Sequence, residues 1–217
     1  MREDRRGTAG HRRGNRPPGT RTHHHPRTAG RQDVTYCSEW AVIVPIRQLH
    51  AGKSRLEVTT RADFALAFLC DVMTALNRCS QVGPIVVVSP DPALERILDY
   101  PVVLDDASGL DEAVEAGRQF IAERGHIGPT AVILPDLPAI DPTELGAMLT
   151  LARHVDRGFV PDADGAGTTT ATAVRNELLR TAFGEGSACR HRRLGYREIR
   201  LPMPTLRRDV DTLDDLG

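Results

Sequence analysis

The chain predicts an α/β domain with a mostly parallel sheet in three layers, and three observations carry that prediction. Apolar runs of strand length recur between longer segments of helical periodicity. The runs are near-continuous, as in strands covered by helices on both faces. An acid, Asp136, follows the apolar run Ala131 to Leu134 and its closing Pro135, at the tip of a strand, where parallel strands present their ligand-binding ends.

Taken in order, Trp40-Ala41-Val42-Ile43-Val44-Pro45-Ile46 reads as a fully buried first strand. The loop from Arg47 to Leu56 follows, with the cations Arg47, Lys53 and Arg55 around Gly52. A basic loop after the first strand of an α/β domain sits where phosphates bind, so Lys53 and Arg55 are candidate nucleotide contacts; a charged surface loop is the plain alternative. Neither a Walker loop nor a G-x-G-x-x-G turn is present. Residues 61–79 form a helix with Phe64, Phe68, Val72 and Leu76 at spacing four, flanked by Ala65, Leu69 and Met73. Ile85 to Val88 is the second strand, Ala93 to Leu98 a short helix, and Val102 to Leu104 a third strand. Ser108 and Asp111 make a capping box for a helix that buries Leu110, Ala113, Val114, Gly117, Phe120 and Ile121.

Ala131-Val132-Ile133-Leu134 is a buried strand stopped by Pro135, which cannot donate to a ladder. Asp136 emerges at its tip, either to hold a metal ion or to cap a turn. Asp141-Pro142-Thr143-Glu144 starts the next helix, with Asp as N-cap and Glu closing the box, and Leu145, Met148, Leu149 and Ala152 form its buried stripe. Phe159-Val160 is a short strand leading into the loop Pro161 to Thr170, whose two glycines permit close backbone approach and whose hydroxyls can donate to phosphate or carboxylate oxygens. Phe183-Gly184-Glu185-Gly186-Ser187 then delivers a Ser to a basic helical turn, either as an anion site using unpaired first-turn amides or as an ordinary N-cap. Tyr196 to Leu201 is a late edge strand. In an extended segment Asp209 and Asp211 point to one side, as paired metal ligands would, although Asp211 with Asp214 also fits a capping box.

Composition sets the outer bounds. The 217 residues, 40% of them hydrophobic, suffice for one well-buried domain plus a tail. There is no run of eighteen apolar residues and no signal-peptide pattern, so the expectation is a soluble, cytoplasmic protein. Cys37, Cys70, Cys79 and Cys189 form no C-x-x-C pair; Cys70 and Cys79 read as small core residues. The net charge of −1 hides an asymmetry, because residues 1–32 carry nine Arg against Glu3 and Asp4, leaving −8 for the other 185 residues. Residues 1–37 are therefore expected to be a disordered basic tail and residues 38–217 the folded domain. The tail's arginines and the His23-His24-His25 run could meet RNA, a membrane or a metal, but aromatic residues for base stacking are absent.

Five ordered motifs make the chain resemble a known family, the guanylyltransferases that activate phosphoenolpyruvate or 2-phospholactate in coenzyme F-420 biosynthesis. They are Val44-Pro45 through Lys53-Ser54-Arg55-Leu56, Asp136-Leu137-Pro138, Gly165 to Thr168, Phe183 to Ser187, and Asp209 to Leu216, together spanning roughly Trp40 to Gly217. Arg47, Pro135 and Asp111 stand where the family usually has Lys, Gly and Asn. The resemblance implies a nucleotide-diphospho-sugar-transferase-like, Rossmann-like domain. It also implies that Thr168, Gly184 and Ser187 bind the phosphorylated acid, with Thr168 uncertain by one position within Thr168 to Thr170. Asp136, Asp209 and Asp211 would hold Mg2+, and Lys53 and Arg55 would lie along the GTP phosphates. Catalysis would rest on Asp136, Asp209 and Lys53. The implied partners are GTP and a small phosphorylated acid, with no nucleic acid and no membrane; a homodimer is compatible, and the product would pass to the next enzyme of the pathway. Two other readings stay open: a molybdenum-cofactor guanylyltransferase, whose Gly-rich L-x-G-G start is missing here, and a catalytically inactive binding module.

Overall fold

The computed structural model describes residues 39–46, 55–106 and 109–209. Lys53, Asp211, Ser108, Cys37 and the tail lie outside these residues. Seven strands form one sheet: β1 (Trp40–Pro45), β2 (Val82–Ser89), β3 (Val102–Leu104), β4 (Thr130–Ile133), β5 (Arg157–Pro161), β6 (Thr168–Ala173) and β7 (Arg197–Glu198). Their order is β3-β2-β1-β4-β6-β5-β7. Every pairing is parallel except those that β6 makes with β4 and β5.

The continuous apolar strands are explained by cover on both faces. Trp40, Val42 and Val44 of β1 point into one core with Leu69, Val72, Met73 and Leu76 of α1 (Arg55–Arg78) and with Leu145, Met148 and Leu149 of α4 (Pro142–Ala152). Ala41 and Ile43 alternate onto the opposite core, against Ala113, Val114 and Ile121 of α3 (Leu110–Glu123). The period of two along β1 thus divides its side chains between two helical layers. A short α2 (Leu94–Ile97) joins β2 to β3, and α5 (Ser187–Arg193) and α6 (Pro204–Arg207) follow β6 in the chain. Among the described residues no helix is long and apolar enough to cross a membrane.

Several local expectations change. The first helix begins at Arg55, so Arg55 and Leu56 belong to α1 and not to the preceding loop. Phe64 and Phe68 are only half-buried, and Cys70 is exposed whereas Cys79 is buried. Thr168 to Thr170, expected in a loop, open β6. Glycines and hydroxyls gave the loop reading, but Thr is β-branched and favours strands once its hydroxyl has a partner; here Thr172 Oγ1 donates to the Gly158 carbonyl at 3.2 Å. The Asp141 box is half-formed: its carboxylate accepts from the amides of Thr143 and Glu144 at 2.7 and 3.0 Å. Glu144 turns instead to Thr205, accepting from its amide and hydroxyl at 3.0 and 2.6 Å.

α3 lies close on the sheet because Gly117 has no side chain. A Cβ there would stand 2.7 Å from Ile43 Cγ2 and 3.0 Å from Val88 Cγ2, both anchored in the buried core. Gly117→Val is therefore expected to destabilise the fold by about 1–3 kcal/mol through overpacking. Urea unfolding checks this, and an unchanged midpoint would mean that α3 is not seated on β1 and β2 at this residue.

Candidate active site

β1 is flanked by β2 on one side and β4 on the other, both parallel to it, and the chain builds outward first through β2 and β3 and later through β4. Such a reversal leaves a crevice beyond the carboxyl ends of the two central strands, because the connections leave them in opposite directions. A cleft of about 650 Å³ lies there. Pro45 at the end of β1 and Ile46 beyond it, with Leu134, Pro135 and Asp136 after β4, line one part of it. Thr168 at the start of antiparallel β6, the Asp162–Gly167 loop, the Phe183–Ser187 loop and Asp209 complete it.

Of the residues expected from sequence, Asp136, Asp209, Thr168, Gly184 and Ser187 thus share one cleft. Arg55 is the first residue of α1, its side chain outside the description, and Lys53 and Asp211 lie outside the described residues altogether. Among the described residues no three His, Cys, Asp or Glu side chains form a metal-holding group.

The threonine is singled out by a slip in pairing. Val160 faces Thr170 and Pro161 faces Thr168, so Thr169 is an extra residue in β6. A bulge of this kind turns a neighbouring side chain to the other face of the sheet. Thr169 Oγ1 donates to the Leu206 carbonyl at 2.6 Å, on the α1 and α4 side, while Thr168 Oγ1 meets His191 Nδ1 at 3.0 Å on the other. Thr168 is the member of the triplet that lines the cleft.

Three side chains that sequence reading left without a role shape the loops. Asp162 accepts from the amides of Ala166 and Gly167 at 3.0 and 2.6 Å, closing a turn in which Gly165 has φ +77°. Arg207 of α6 donates to the carbonyls of Pro161, Asp162 and Ala163 at 2.8–3.4 Å, tying that loop to the segment that runs on to Asp209. Arg190 of α5 spreads its guanidinium over the carbonyls of Ala182, Glu185 and Phe183 at 3.1, 2.5 and 2.6 Å. These arginines bind carbonyl oxygens and are therefore structural cations, which a charge count along the sequence does not separate from ligand-binding ones.

Two expectations about caps fail for related reasons. The N-cap of α3 is Gly109, and Asp111 reaches across to accept from the Phe183 amide at 2.9 Å. Gly186, at φ +68°, caps α5, and Ser187 is its first residue, almost fully buried. The first-turn amides of α5 are already committed, Ser187 N to Gly184 O, Ala188 N to Ala166 O, and both Cys189 N and Arg190 N to Gly186 O. Ser187 lines the cleft, and the helix start contributes no open amide nest.

Electrostatically the cleft is acidic: Asp136, Asp162, Glu185 and Asp209 line it, and among the described residues no Lys or Arg does. Hard carboxylate oxygens suit a divalent cation that substrate phosphates also ligate. Of these carboxylates, Asp162 already accepts from two amides of its own loop, one at each oxygen.

A sheet with this switch point, an acid at its central strand tip and an acidic cleft walled by a Gly/Thr loop define a nucleotidyltransferase-type α/β domain. Solved structures share it: one from Desulfovibrio desulfuricans G20, assigned to the nucleotide-diphospho-sugar transferases, has a TM-score of 0.62 at 18% identity over 82% of this chain and 85% of that one. 4-Diphosphocytidyl-2C-methyl-D-erythritol synthase gives 0.58 at 16% identity, covering 82% of this chain and 94% of that one. At such identities the likeness carries the fold. The chain belongs to the family described as guanylyl transferase CofC like, whose model matches residues 40–216. It is 47% identical to phosphoenolpyruvate guanylyltransferase 2 of Rhodococcus jostii (strain RHA1) over 82% of this chain and 83% of that protein. Phosphoenolpyruvate guanylyltransferase of Streptomyces coelicolor (strain ATCC BAA-471 / A3(2) / M145) is 37% identical, over 82% of this chain and 88% of that protein.

Burial pushes the His191 imidazole down to about 4 from its ordinary 6.5; the Asp111 carboxylate and Ser187 carbonyl only partly offset this. An unfolded chain takes up a proton near 6.5 that the folded chain refuses until about 4, so the stability from a neutral His191 is complete above 6.5 and lost as pH falls toward 4. The expected loss is at most ~1.4 kcal/mol per pH unit in that window. His191→Asn should flatten this part of the stability profile, measured by urea unfolding; an unchanged slope would place the acid sensitivity elsewhere.

Proposed function

We propose that the protein transfers the guanylyl group of GTP to phosphoenolpyruvate, forming enolpyruvoyl-2-diphospho-5'-guanosine and pyrophosphate in the assembly of coenzyme F-420. The observation that carries this reading is the convergence of Asp136, Asp209, Thr168, Gly184 and Ser187 on one cleft at the sheet's switch point. Family membership and the names of the relatives support guanylyl transfer and favour phosphoenolpyruvate over 2-phospholactate.

The acceptor's phosphate is already anionic at neutral pH, so a phosphate oxygen can attack the α-phosphorus of GTP without a protein nucleophile. The new bond joins that oxygen to the α-phosphorus, the bond from the α-phosphorus to the bridging oxygen breaks, and pyrophosphate leaves. What the chain must do is hold two anions together in line. Thr168 and Ser187 would present hydroxyls to the acceptor beside the backbone of Gly184, whose φ is +102°. Asp136 and Asp209, with Asp211, would hold Mg2+, whose charge would offset that gathered between the two substrates. A structure related in fold, Rv0371C of Mycobacterium tuberculosis H37Rv, is described in complex with manganese (TM-score 0.56, 17% identity, 82% of this chain and 96% of that one), which agrees with a divalent cation. Lys53 and Arg55 would lie along the GTP phosphates, and residues 1–37 would stay outside the transfer chemistry.

The purified protein with GTP, Mg2+ and phosphoenolpyruvate is expected to release pyrophosphate and to form a product identified by mass, with 2-phospholactate run in parallel. No pyrophosphate with either acceptor would overturn the reading. Ser187→Ala and Thr168→Val should each weaken acceptor binding by about 1–3 kcal/mol per charge-assisted bond, with GTP affinity little changed. The opposite pattern would assign these loops to GTP.

Asp136→Asn and Asp209→Asn should fold and lose most turnover. If they hold one cation their effects are not independent, and the double variant costs far less than the product of the single ones. Multiplicative losses in kcat at saturating Mg2+ would show that the two carboxylates do not act as a unit.

A further inference from the structure

His191 stands behind the cleft and does not line it. Its ring is completely buried, enclosed by Phe159, Phe183 and Tyr196 with centroids at 6.0, 5.1 and 5.0 Å. Two polar contacts at opposite ring nitrogens lock its chemistry. The Ala182 amide, which can only donate, meets Nε2 at 3.2 Å, and Thr168 Oγ1 meets Nδ1 at 3.0 Å. A proton on Nε2 would face the amide proton head-on, so Nε2 must present its lone pair. The single proton of the neutral ring then sits on Nδ1, with Thr168 Oγ1 beside it and the Ser187 carbonyl as a further acceptor at the ring, so Nδ1 has no lone pair with which to take the Thr168 proton.

A hydroxyl that accepts from its inner neighbour keeps its own proton for another partner. Thr168 is buried and lines the cleft, and that is where its proton is available. With the ring reversed, Thr168 would donate inward and offer the cleft only lone pairs, which repel an anionic oxygen.

We propose that His191 is a positioning residue that, through its fixed tautomer, makes Thr168 an obligate hydrogen-bond donor to an anionic oxygen of the acceptor substrate. This rests on the reading above that Thr168 faces the acceptor. The same histidine ties the two walls of the site together, because the Ala182 amide that selects its tautomer begins the loop that carries Gly184 and Ser187. A displacement of that loop would release the tautomer and with it the polarity of Thr168.

The test uses the full chain. Long-range proton–nitrogen correlation spectra of the 15N-labelled protein at neutral pH, with His191 assigned by the signal lost in His191→Asn, should show a protonated Nδ1 and a bare Nε2. An Nε2–H ring or an imidazolium would overturn the proposal whatever the variants do. Kinetically, His191→Asn places an amide donor where Nδ1 stood, whereas His191→Gln places its amide at the Nε2 position. The KM for phosphoenolpyruvate should rise roughly tenfold in His191→Gln and by less than about threefold in His191→Asn, with the KM for GTP within about twofold in both. Equal acceptor KM values in the two variants would overturn the role of His191. In a Thr168→Val background the difference between them should vanish, and its persistence would overturn the route through Thr168. If Thr168→Val alone leaves the acceptor KM unchanged, the acceptor reading fails first; if it raises KM while Asn and Gln behave alike, only the role of His191 fails.

Discussion

The cleft depends on one constraint of the backbone: β1 is hydrogen-bonded on both edges by parallel strands, the chain leaving it toward β2 on one edge and returning as β4 on the other. Parallel neighbours bring the ends of β1 and β4 to the same edge, and the reversal of order keeps helical connections from covering the gap between them. The insertion of antiparallel β6 next to β4 adds a third contribution, because the start of an antiparallel strand lies beside the end of its neighbour. Thr168 reaches the same edge as Asp136 for that reason.

Around this edge the loops are held by groups that satisfy backbone atoms. Asp162 takes two amides of its own loop, Arg207 takes carbonyls from the same loop, and Arg190 takes three carbonyls of the Phe183 loop. Asp111, reaching from α3, takes the Phe183 amide. Charged groups bonded to backbone in this way order a loop at little entropic cost to the ligand, which then finds its partners already in place. The consequence is an acidic cleft for two anionic substrates. On the proposed reading, the charge gathered there would be offset by a divalent cation held by Asp136 and Asp209 and by cationic side chains such as Lys53.

α6 couples the two ends of the arrangement. Thr205 is fixed by Glu144 at the start of α4, and it accepts from the Asp141 amide at 3.1 Å. Leu206 offers its carbonyl to Thr169 and Arg207 reaches the Asp162 loop. The four residues Pro204–Arg207 therefore join the helix that follows Asp136 to the strand that carries Thr168, immediately before Asp209 enters the cleft. Glu144 would serve an ordinary capping box in an isolated helix. Here it serves the C-terminal segment, because a tertiary partner with both an amide and a hydroxyl outcompetes one local amide.

What the sequence by itself determined is whatever depends on short-range pattern and on motif spacing. The apolar runs specified β1, β2 and β4, the four-residue periodicity specified α1, α3 and α4, and the five motifs named the family and most of the cleft. Tertiary structure alone decided what depends on partners distant in the chain. It set Thr168 rather than Thr169 into the cleft, since the slip against β5 has no local signature. It turned Asp111 from a cap into a support for Phe183, 72 residues away, and made Arg190 and Arg207 into loop clamps. It brought His191 behind Thr168, where the Ala182 amide leaves the neutral ring only one tautomer. The physical reason is common to all four: a polar side chain's role is set by which donor or acceptor the fold leaves facing it, and composition does not encode that choice.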